Sequence, residues 1–232
     1  MKKIFNLLYI ILLMVFTSCI TIKESDYITR EYTLPSFSRI DISSAFNVQL
    51  KQGDVQSVIV EIEEHMLPLL KAEVQGDELN VSFTGRTRNT KPNKIYITVP
   101  HLKEVDLSGA SSLNFETPVV SDKFKVGLSG ASSIKGTIQA PAVGIVLKGA
   151  SSAKIEVETP KISVNISGAS SATLSGSATS QKLEASGASK INATALAGET
   201  ASVKASGASK VSVGADNLSS IDSSGASKVS KK

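Results

Sequence analysis

The sequence predicts an all-β protein whose main part is a right-handed, single-stranded parallel β-helix of about seven coils, each of about twenty residues. Three observations predict it. A five-residue string recurs at a near-constant interval, apolar residues alternate with polar ones on both sides of each copy, and glycine has a fixed place in every copy. Aromatic residues make up only 5% of the 232 and Trp is absent, so the core must consist of aliphatic and small side chains.

The N-terminus has the pattern of an export signal. Two lysines precede an apolar run, residues 4–16, and a Thr-Ser pair then leads to Cys19, the one cysteine of the chain. The apolar run is shorter than a membrane-spanning helix needs. A lone cysteine at this place resembles a lipobox, so we expect residues 1–18 to be a signal peptide and Cys19 to be lipidated. The alternative is an ordinary signal peptide that is cut nearby and leaves a free thiol.

Between this signal and the repeats, residues 19–32 are predicted to be a lipidated polar tether and residues 33–104 an N-terminal β region of antiparallel or β-helical strands. Alternation of apolar and polar residues around Gln52-Gly53-Asp54 predicts a β-hairpin of strands at 46–50 and 58–62. The same alternation predicts strands at 79–83 and 95–99. A turn of helix is expected between the strands, at 66–72.

The repeat region, residues 105–232, holds seven copies of a Ser-Gly-Ala-Ser string, with Lys148 replacing the first serine of one copy. The copies start 18 to 21 residues apart. Apolar residues spaced by two flank each copy, which is strand spacing, and a third apolar segment follows. Three short strands per period are typical of one β-helix coil. Glycine in every copy indicates a corner with positive φ or close backbone contact. These corner glycines are Gly109, Gly130, Gly149, Gly168, Gly187, Gly207 and Gly225.

The invariant serine of each string predicts a stacked ladder whose hydroxyls bond to each other or to the backbone of a neighbouring coil. In the last three copies a lysine follows this serine, and we expect it to point to solvent because lysine is rarely buried unpaired. A candidate binding face therefore forms near the C-terminus. The alternative is that the string has only a structural role at the corners. The candidate binding residues are Lys190, Lys210, Lys228, Ser189, Ser209 and Ser227.

Four segments together resemble a known family. They are Phe37-Ser38-Arg39-Ile40, the stretch 47–53, Ile97-Thr98-Val99-Pro100 with Leu102, and the recurrent Ser-Gly-Ala-Ser. The chain from about Phe37 to Val229 resembles the head of auto-transporter adhesins, the GIN-domain family common in Bacteroidetes. The resemblance implies an envelope lipoprotein with a β-helical fold, and it supplies no catalytic residues.

The sequence predicts no catalytic residues, no metal site and no cofactor. His65 and His101 are the only histidines and lack partners at ligand spacing. Glu156 and Glu158 share one face of a strand, but their counterparts one coil later, Ser175 and Ser177, add no acid. Catalysis by clustered carboxylates, as in polysaccharide-active β-helix enzymes, is therefore the least favoured class.

The expected function is that of an adhesin or binding scaffold of the cell envelope, most simply an outer-membrane lipoprotein held to the membrane by its lipid. A periplasmic and a surface location both stay open. Without the two signal-peptide lysines the net charge is about +2, which together with export argues against nucleic acid as a partner. An acidic glycan or an envelope protein is the expected partner. The alternative is a structural or assembly component that self-associates.

Overall fold

The computed structural model describes residues 26–232, which form one 20-stranded sheet wound into a β-solenoid of about seven turns. The signal peptide predicted at 1–18 and the lipidation site predicted at Cys19 lie outside the described residues. In the described part, the helical structure is a short 3-10 segment, and no helix there has the length and apolarity to cross a bilayer.

The solenoid has two broad walls of parallel strands that meet at the glycine corners. The N-terminal elements are β1 (Tyr27–Tyr32), β2 (Arg39–Ile42), β3 (Phe46–Gln52), β4 (Ser57–Glu63), the 3-10 helix Glu64–Leu69, β5 (Leu70–Gln75), β6 (Glu78–Phe83) and β7 (Asn93–Val99). The repeats contribute β8 (Glu104–Leu107), β9 (Ser112–Phe115), β10 (Val119–Val120), β11 (Phe124–Leu128), β12 (Ser133–Gln139), β13 (Ala142–Leu147), β14 (Ser152–Ile166), β15 (Ser171–Ala185), β16 (Lys190–Ala197), β17 (Thr200–Ala205), β18 (Lys210–Val213), β19 (Asn217–Ser223) and β20 (Lys228–Lys231).

Each wall is a continuous parallel ladder. The strands of wall 1 precede the corners, in the stacking order β6, β2, β8, β11, β13, the second half of β14, the second half of β15, β17 and β19. The strands of wall 2 follow the corners, in the order β7, β3, β9, β12, the first half of β14, the first half of β15, β16, β18 and β20. Each long strand, β14 and β15, therefore belongs to both walls.

The predicted column of corner glycines is confirmed. All seven have φ between 69° and 77°. A β-carbon added at Gly130 would lie 2.6 Å from the carbonyl oxygen of Gly109, the glycine one coil earlier. The amide of Ala131 donates to that same oxygen at 2.7 Å, and the equivalent bond joins every corner from Gly109 to Gly207 to the corner before it. Glycine is therefore required both for its backbone conformation and for the spacing of the coils.

The N-terminal region is part of the same solenoid, so the boundary predicted at residue 104 does not separate two sheets. Strands β2 and β3 form a coil that pairs in parallel with β8 and β9. Its corner is Ser43-Ser44-Ala45, and Ser44 takes the place of glycine with φ 85°. On the other side of this coil lies the coil of β6 and β7. The stacking order of the first coils thus differs from their order along the chain.

The predicted hairpin of β3 and β4 is wrong. Strand β7 lies between them: it pairs in parallel with β3 and antiparallel with β4. Because β3 is bonded to β7 on one edge and to β9 on the other, it has no free edge for β4. The helical turn predicted at 66–72 is a 3-10 helix that starts two residues earlier, and Leu70 already begins β5.

The predicted tether also needs correction, because its last six residues form strand β1. This strand pairs antiparallel with β4 along its whole length, from Tyr27 opposite Glu63 to Tyr32 opposite Val58. Ile28 and Tyr32 pack against the core. Together with β4 and β5, β1 caps the N-terminal end of the solenoid with antiparallel strands.

The core inside the walls changes from large to small side chains along the chain, as the sequence predicts. At the position before each corner, Leu107, Leu128, Leu147 and Ile166 are buried, and Ala185 and Ala205 follow. The last coil, β19 and β20, has no further layer over it in the described chain. Its Ile221 is 53% exposed.

Candidate binding surface

The outer surface of wall 2 is a flat array of polar side chains in two columns, which we call the lysine face. Residues in each column are paired in register across successive coils, and each column carries lysines in some coils and small polar residues in the others. The first column consists of Asn47, Ser112, Ser133, Ser152, Ser171, Lys190, Lys210 and Lys228. The second consists of Gln49, Asn114, Lys135, Lys154, Thr173, Asn192, Ser212 and Ser230.

The three lysines predicted for this surface are in the expected positions. Lys190 is in register with Lys210, and Lys210 with Lys228, and all three are exposed. Neighbouring strands are about 4.8 Å apart, so the three side chains leave the sheet from adjacent rungs. Their part in binding stays a prediction.

Two further lysines belong to the same face and were missed by the sequence analysis. Lys135 on β12 and Lys154 on β14 are exposed and paired in register. The signal was present in the sequence, since both follow the last serine of their string by two residues and they are one period apart. The three lysines predicted for the face differ in position, because each takes the place of the last serine of its string.

The five lysines of the face have no carboxylate within ion-pair distance in the described structure, and neither column contains an acid. Wall 1 differs, because several of its lysines are paired, including Lys182 with Glu184 at 2.9 Å and Lys125 with Glu104 at 3.4 Å. The nearest acids along wall 2 strands are Glu116 and Glu156, which flank the second column and make no ion pair. The lysine face is thus a surface of uncompensated positive charge.

The predicted serine ladder exists, but it is internal. Ser189 and Ser209 are 2% and 1% exposed, so they cannot belong to an exposed binding face, and Ser227 is only partly exposed. The hydroxyls of the other ladder serines bond to backbone carbonyls and not to each other, as where Ser132 donates to the carbonyl of Ser129 at 2.7 Å, whereas the Ser189 hydroxyl has no partner in the described structure. The bonded serines therefore satisfy carbonyls of the corner backbone, which agrees with a structural role, and any part of the string in binding stays a prediction.

Wall 1 carries a depression of about 500 Å³ above two glycines, Gly127 and Gly144. At its edge, Asp41 and Asp106 are neighbours in the ladder. Burial, with the charges of Glu104 and Asp41 as lesser causes, raises the pKa of Asp106 to about 6. Burial also raises the pKa of Asp41. The pair is a cluster of like charges, and the residues lining this depression include no histidine or cysteine.

A longer groove of about 1130 Å³ follows the loops that join wall 2 to the next strand of wall 1. Polar groups of both signs line it, including Asp77, His101, Lys103, Asp122 and Glu158. Asp77 is already paired with Arg39 at 2.7 Å. Across residues 26–232, no three His, Cys, Asp or Glu side chains are arranged to hold a metal ion. His65 and His101 lie at separate sites, as their spacing in the sequence suggests.

Residues 36–232 match the family described as "Putative auto-transporter adhesin, head GIN domain". The chain belongs to this family. The match begins at the loop before β2 and so includes the N-terminal coils, in agreement with their place in the solenoid. The family description as an adhesin suggests an extracellular or envelope-associated protein. No relative is found among curated proteins.

Solved structures share the GIN-domain solenoid at low sequence identity. A "putative lipid binding protein" from Parabacteroides distasonis superposes with a TM-score of 0.81 at 18% identity, covering 89% of this chain and 97% of its own. A "putative adhesin" of the same species has a TM-score of 0.78 at 18% identity, covering 90% and 94%. A "putative adhesin" from Parabacteroides merdae superposes with a TM-score of 0.75 at 16% identity, covering 89% of this chain and 96% of its own. At these identities the likeness establishes the fold alone.

Proposed function

We propose that this GIN-domain protein is a non-catalytic binding protein of the cell envelope that holds acidic polymers on its lysine face. The observation that carries the proposal is the set of five exposed lysines with no carboxylate partner. Like charges on adjacent rungs repel one another, and a bound anion relieves that repulsion. The family description as an adhesin head supports a binding role.

Acidic glycans fit this face better than lipids do. One structural neighbour is named a lipid binding protein, but an acyl chain needs an apolar surface, and both columns of the lysine face consist of polar residues. Hydroxyl and amide groups between the lysines suit the hydroxyls of a sugar chain. An acidic envelope protein is the other candidate partner, and competition by free glycan distinguishes the two.

Chromatography on a sulfated-polysaccharide resin tests the proposal. Changing Lys190, Lys210 and Lys228 together to Ser introduces the residue that the same column has in earlier coils, so the fold should be kept. We expect this variant to elute at clearly lower salt than the wild type, because attraction between a charged surface and a polyanion is screened by salt.

The matched control removes three lysines from wall 1. Lys125, Lys182 and Lys204 are each paired with a carboxylate, and their change to Ser alters the net charge by the same amount. If retention depends only on net charge, both triple variants will elute together and the proposal is wrong. If the control variant elutes at the same salt concentration as the wild type, and the lysine-face variant elutes at lower salt, the result supports the proposal.

We also propose export and lipidation at Cys19, which would place the solenoid at the outer membrane on a short tether that ends before β1. The pattern of residues 1–19 supports this. Metabolic labelling with a radioactive fatty acid tests it: wild type should be labelled, and Cys19→Ala should not. Label on both, or on neither, would contradict lipidation at this residue.

One observation favours the assembly alternative. Strands β19 and β20 each have one ladder neighbour in the described chain, so the last coil presents an open edge, and Ile221 lies on it. Open edges can pair with a second chain, although Lys228 and Lys231 on β20 oppose close approach of like ends. Sedimentation of wild type and Ile221→Asp over a range of concentrations tests this alternative, which requires association in the wild type alone.

A further inference from the structure

We infer that the lysine face binds a linear acidic polysaccharide that runs along the solenoid axis, across the strands, over about 24 Å. This rests on the proposed function and adds the direction, the length and the chemical class of the ligand. Lys135 and Lys154 extend the track beyond the three lysines near the C-terminus.

The length follows from the ladder. Lys135 lies on β12, Lys154 on β14, and the last three lysines lie on β16, β18 and β20, with one coil between the two groups. These strands occupy six successive rungs, and neighbouring strands are about 4.8 Å apart. The outermost lysines, Lys135 and Lys228, are therefore separated by about 24 Å along the axis.

The direction follows from how the charges are distributed. Along any one strand, the face offers a single lysine, and Glu156 stands two residues beyond Lys154 on the same side. A polymer lying parallel to the strands would thus meet one positive charge and then a negative one. A polymer lying along the axis meets five lysines and no acid. In the coil between the two groups, Ser171 and Thr173 offer hydroxyls.

The chemical class of the ligand follows from the side chains that lie between the lysines. Single-stranded nucleic acids are held by aromatic side chains on which bases stack, and neither column of the face has one. The aromatic residue nearest in register is Tyr96 on β7, whose hydroxyl donates to Glu61 at 3.1 Å. Anionic membranes are bound most firmly when apolar side chains insert, and the face has none. Serine, threonine and amide side chains instead match the hydroxyls and carboxylates of acidic sugars.

The coil between the lysine groups also shows which substitutions the face tolerates. Thr173 occupies the second column, in register with Lys154. A Lys135→Thr, Lys154→Thr double variant therefore places a residue already found in that column at two exposed sites. Lys125→Thr, Lys182→Thr on wall 1 is its control, with the same change of charge.

The test measures affinity of the full mature protein for size-fractionated heparin oligosaccharides by calorimetry. For the wild type we expect affinity per chain to rise until the oligosaccharide spans about 24 Å and then level off. The double variant should bind short oligosaccharides like the wild type but long ones roughly tenfold more weakly. Its log–log salt dependence should be less steep by about 1.4, or about 0.7 per lost contact. The control should match the wild type.

The outcomes separate this inference from the proposed function. If the double variant binds every length like the wild type, or if affinity is independent of length, the axial track is wrong even where resin retention still depends on the three C-terminal lysines. If changing those three lysines does not alter retention on the resin, the proposed function itself is wrong. If single-stranded DNA or anionic vesicles compete better than the oligosaccharides at equal charge, the ligand class is wrong.

Discussion

The carboxylate of Asp106 lies directly over Gly127, its partner in the next coil. A β-carbon built at residue 127 would be 1.9 Å from Asp106 Oδ1. On the other side of Asp106 in the ladder lies a second acid, Asp41. The space above Gly127 therefore lets the Asp106 side chain lie against the wall, where it is half-buried and its pKa rises to about 6.

Gly127→Ala should destabilise the protein by about 1 kcal/mol, because the new methyl group must displace the Asp106 side chain. Its φ is outside the left-handed region, so backbone strain does not contribute. In an Asp106→Ala background, the same substitution should cost almost nothing. A double-mutant cycle by urea unfolding measures this coupling. Equal costs in both backgrounds would show that the contact with Asp106 is not what makes a side chain at position 127 unfavourable.

Stability should fall as the pH rises from about 4 to about 6. Asp106 has a higher pKa in the folded state than in the unfolded chain, so the folded state binds more protons in this window and ionisation disfavours folding. The rise of the Asp106 pKa from its ordinary value to about 6 corresponds to about 3 kcal/mol. Because the group is half-exposed, screening should reduce this to about 1 kcal/mol.

Asp106→Asn tests the pH dependence. The variant should be more stable than the wild type by about 1 kcal/mol at pH 7.5 and nearly equal to it at pH 4, as urea unfolding at both values can measure. Asp41, whose pKa is raised by burial, is present in both proteins, so both keep some pH dependence in the same direction. A difference that stays constant over the pH range would mean that ionisation of Asp106 is not its cause.

Gly149→Ala should cost well over 2 kcal/mol, since two effects add. Its φ of 74° is unfavourable for a residue with a side chain by about 1–2 kcal/mol. The β-carbon would also lie 2.7 Å from the carbonyl oxygen of Gly130, which belongs to the hydrogen-bonded corner column.

Gly76→Ala is the matched control for this substitution. Gly76 has a similar φ of 66°, but nothing lies within 4 Å of the β-carbon site. It should therefore cost only the backbone term, about 1–2 kcal/mol. Urea unfolding of the two variants isolates the contribution of coil stacking. Equal losses would show that the corner column has room for a methyl group.

The sequence predicts the repeats well because one string carries the corner conformation, the stacking contact and the period together. It does not predict the first coils, where Ser44 stands in the positive-φ place of glycine and Phe46 stands where later coils have the buried serine. Their stacking order depends on pairings between distant strands, which a local pattern does not encode. The hairpin was predicted for the same reason: alternation gives the strands but not their partners.

Within the candidate site, the sequence predicts the stacking of the lysines but not which neighbours share their surface. The burial of Ser209 was available from the same alternation, because Ser209 precedes inward-facing Val211 by two residues. The absence of carboxylate partners around the lysines depends on the register of six coils. Only the folded ladder shows it.

Strand β1 contributes to stability, although the sequence suggested a tether there. Its six residues pair with β4, Ile28 and Tyr32 pack on the core, and the Tyr27 hydroxyl donates to the carbonyl of Pro92. A chain that starts at Thr33 should lose about 2–3 kcal/mol relative to one that starts at Asp26, from lost apolar burial and lost ladder bonds.

Urea unfolding of the two truncated chains, together with the chain that starts at Ile20, measures this loss. The Asp26 chain should match the Ile20 chain, because it retains every contact of β1. The Thr33 chain leaves the edge of β4 unpaired, and exposed edges promote association, so size-exclusion chromatography should show oligomers for this chain alone. Equal unfolding midpoints for all three chains would mean that β1 is attached to the solenoid without stabilising it, as a tether would be.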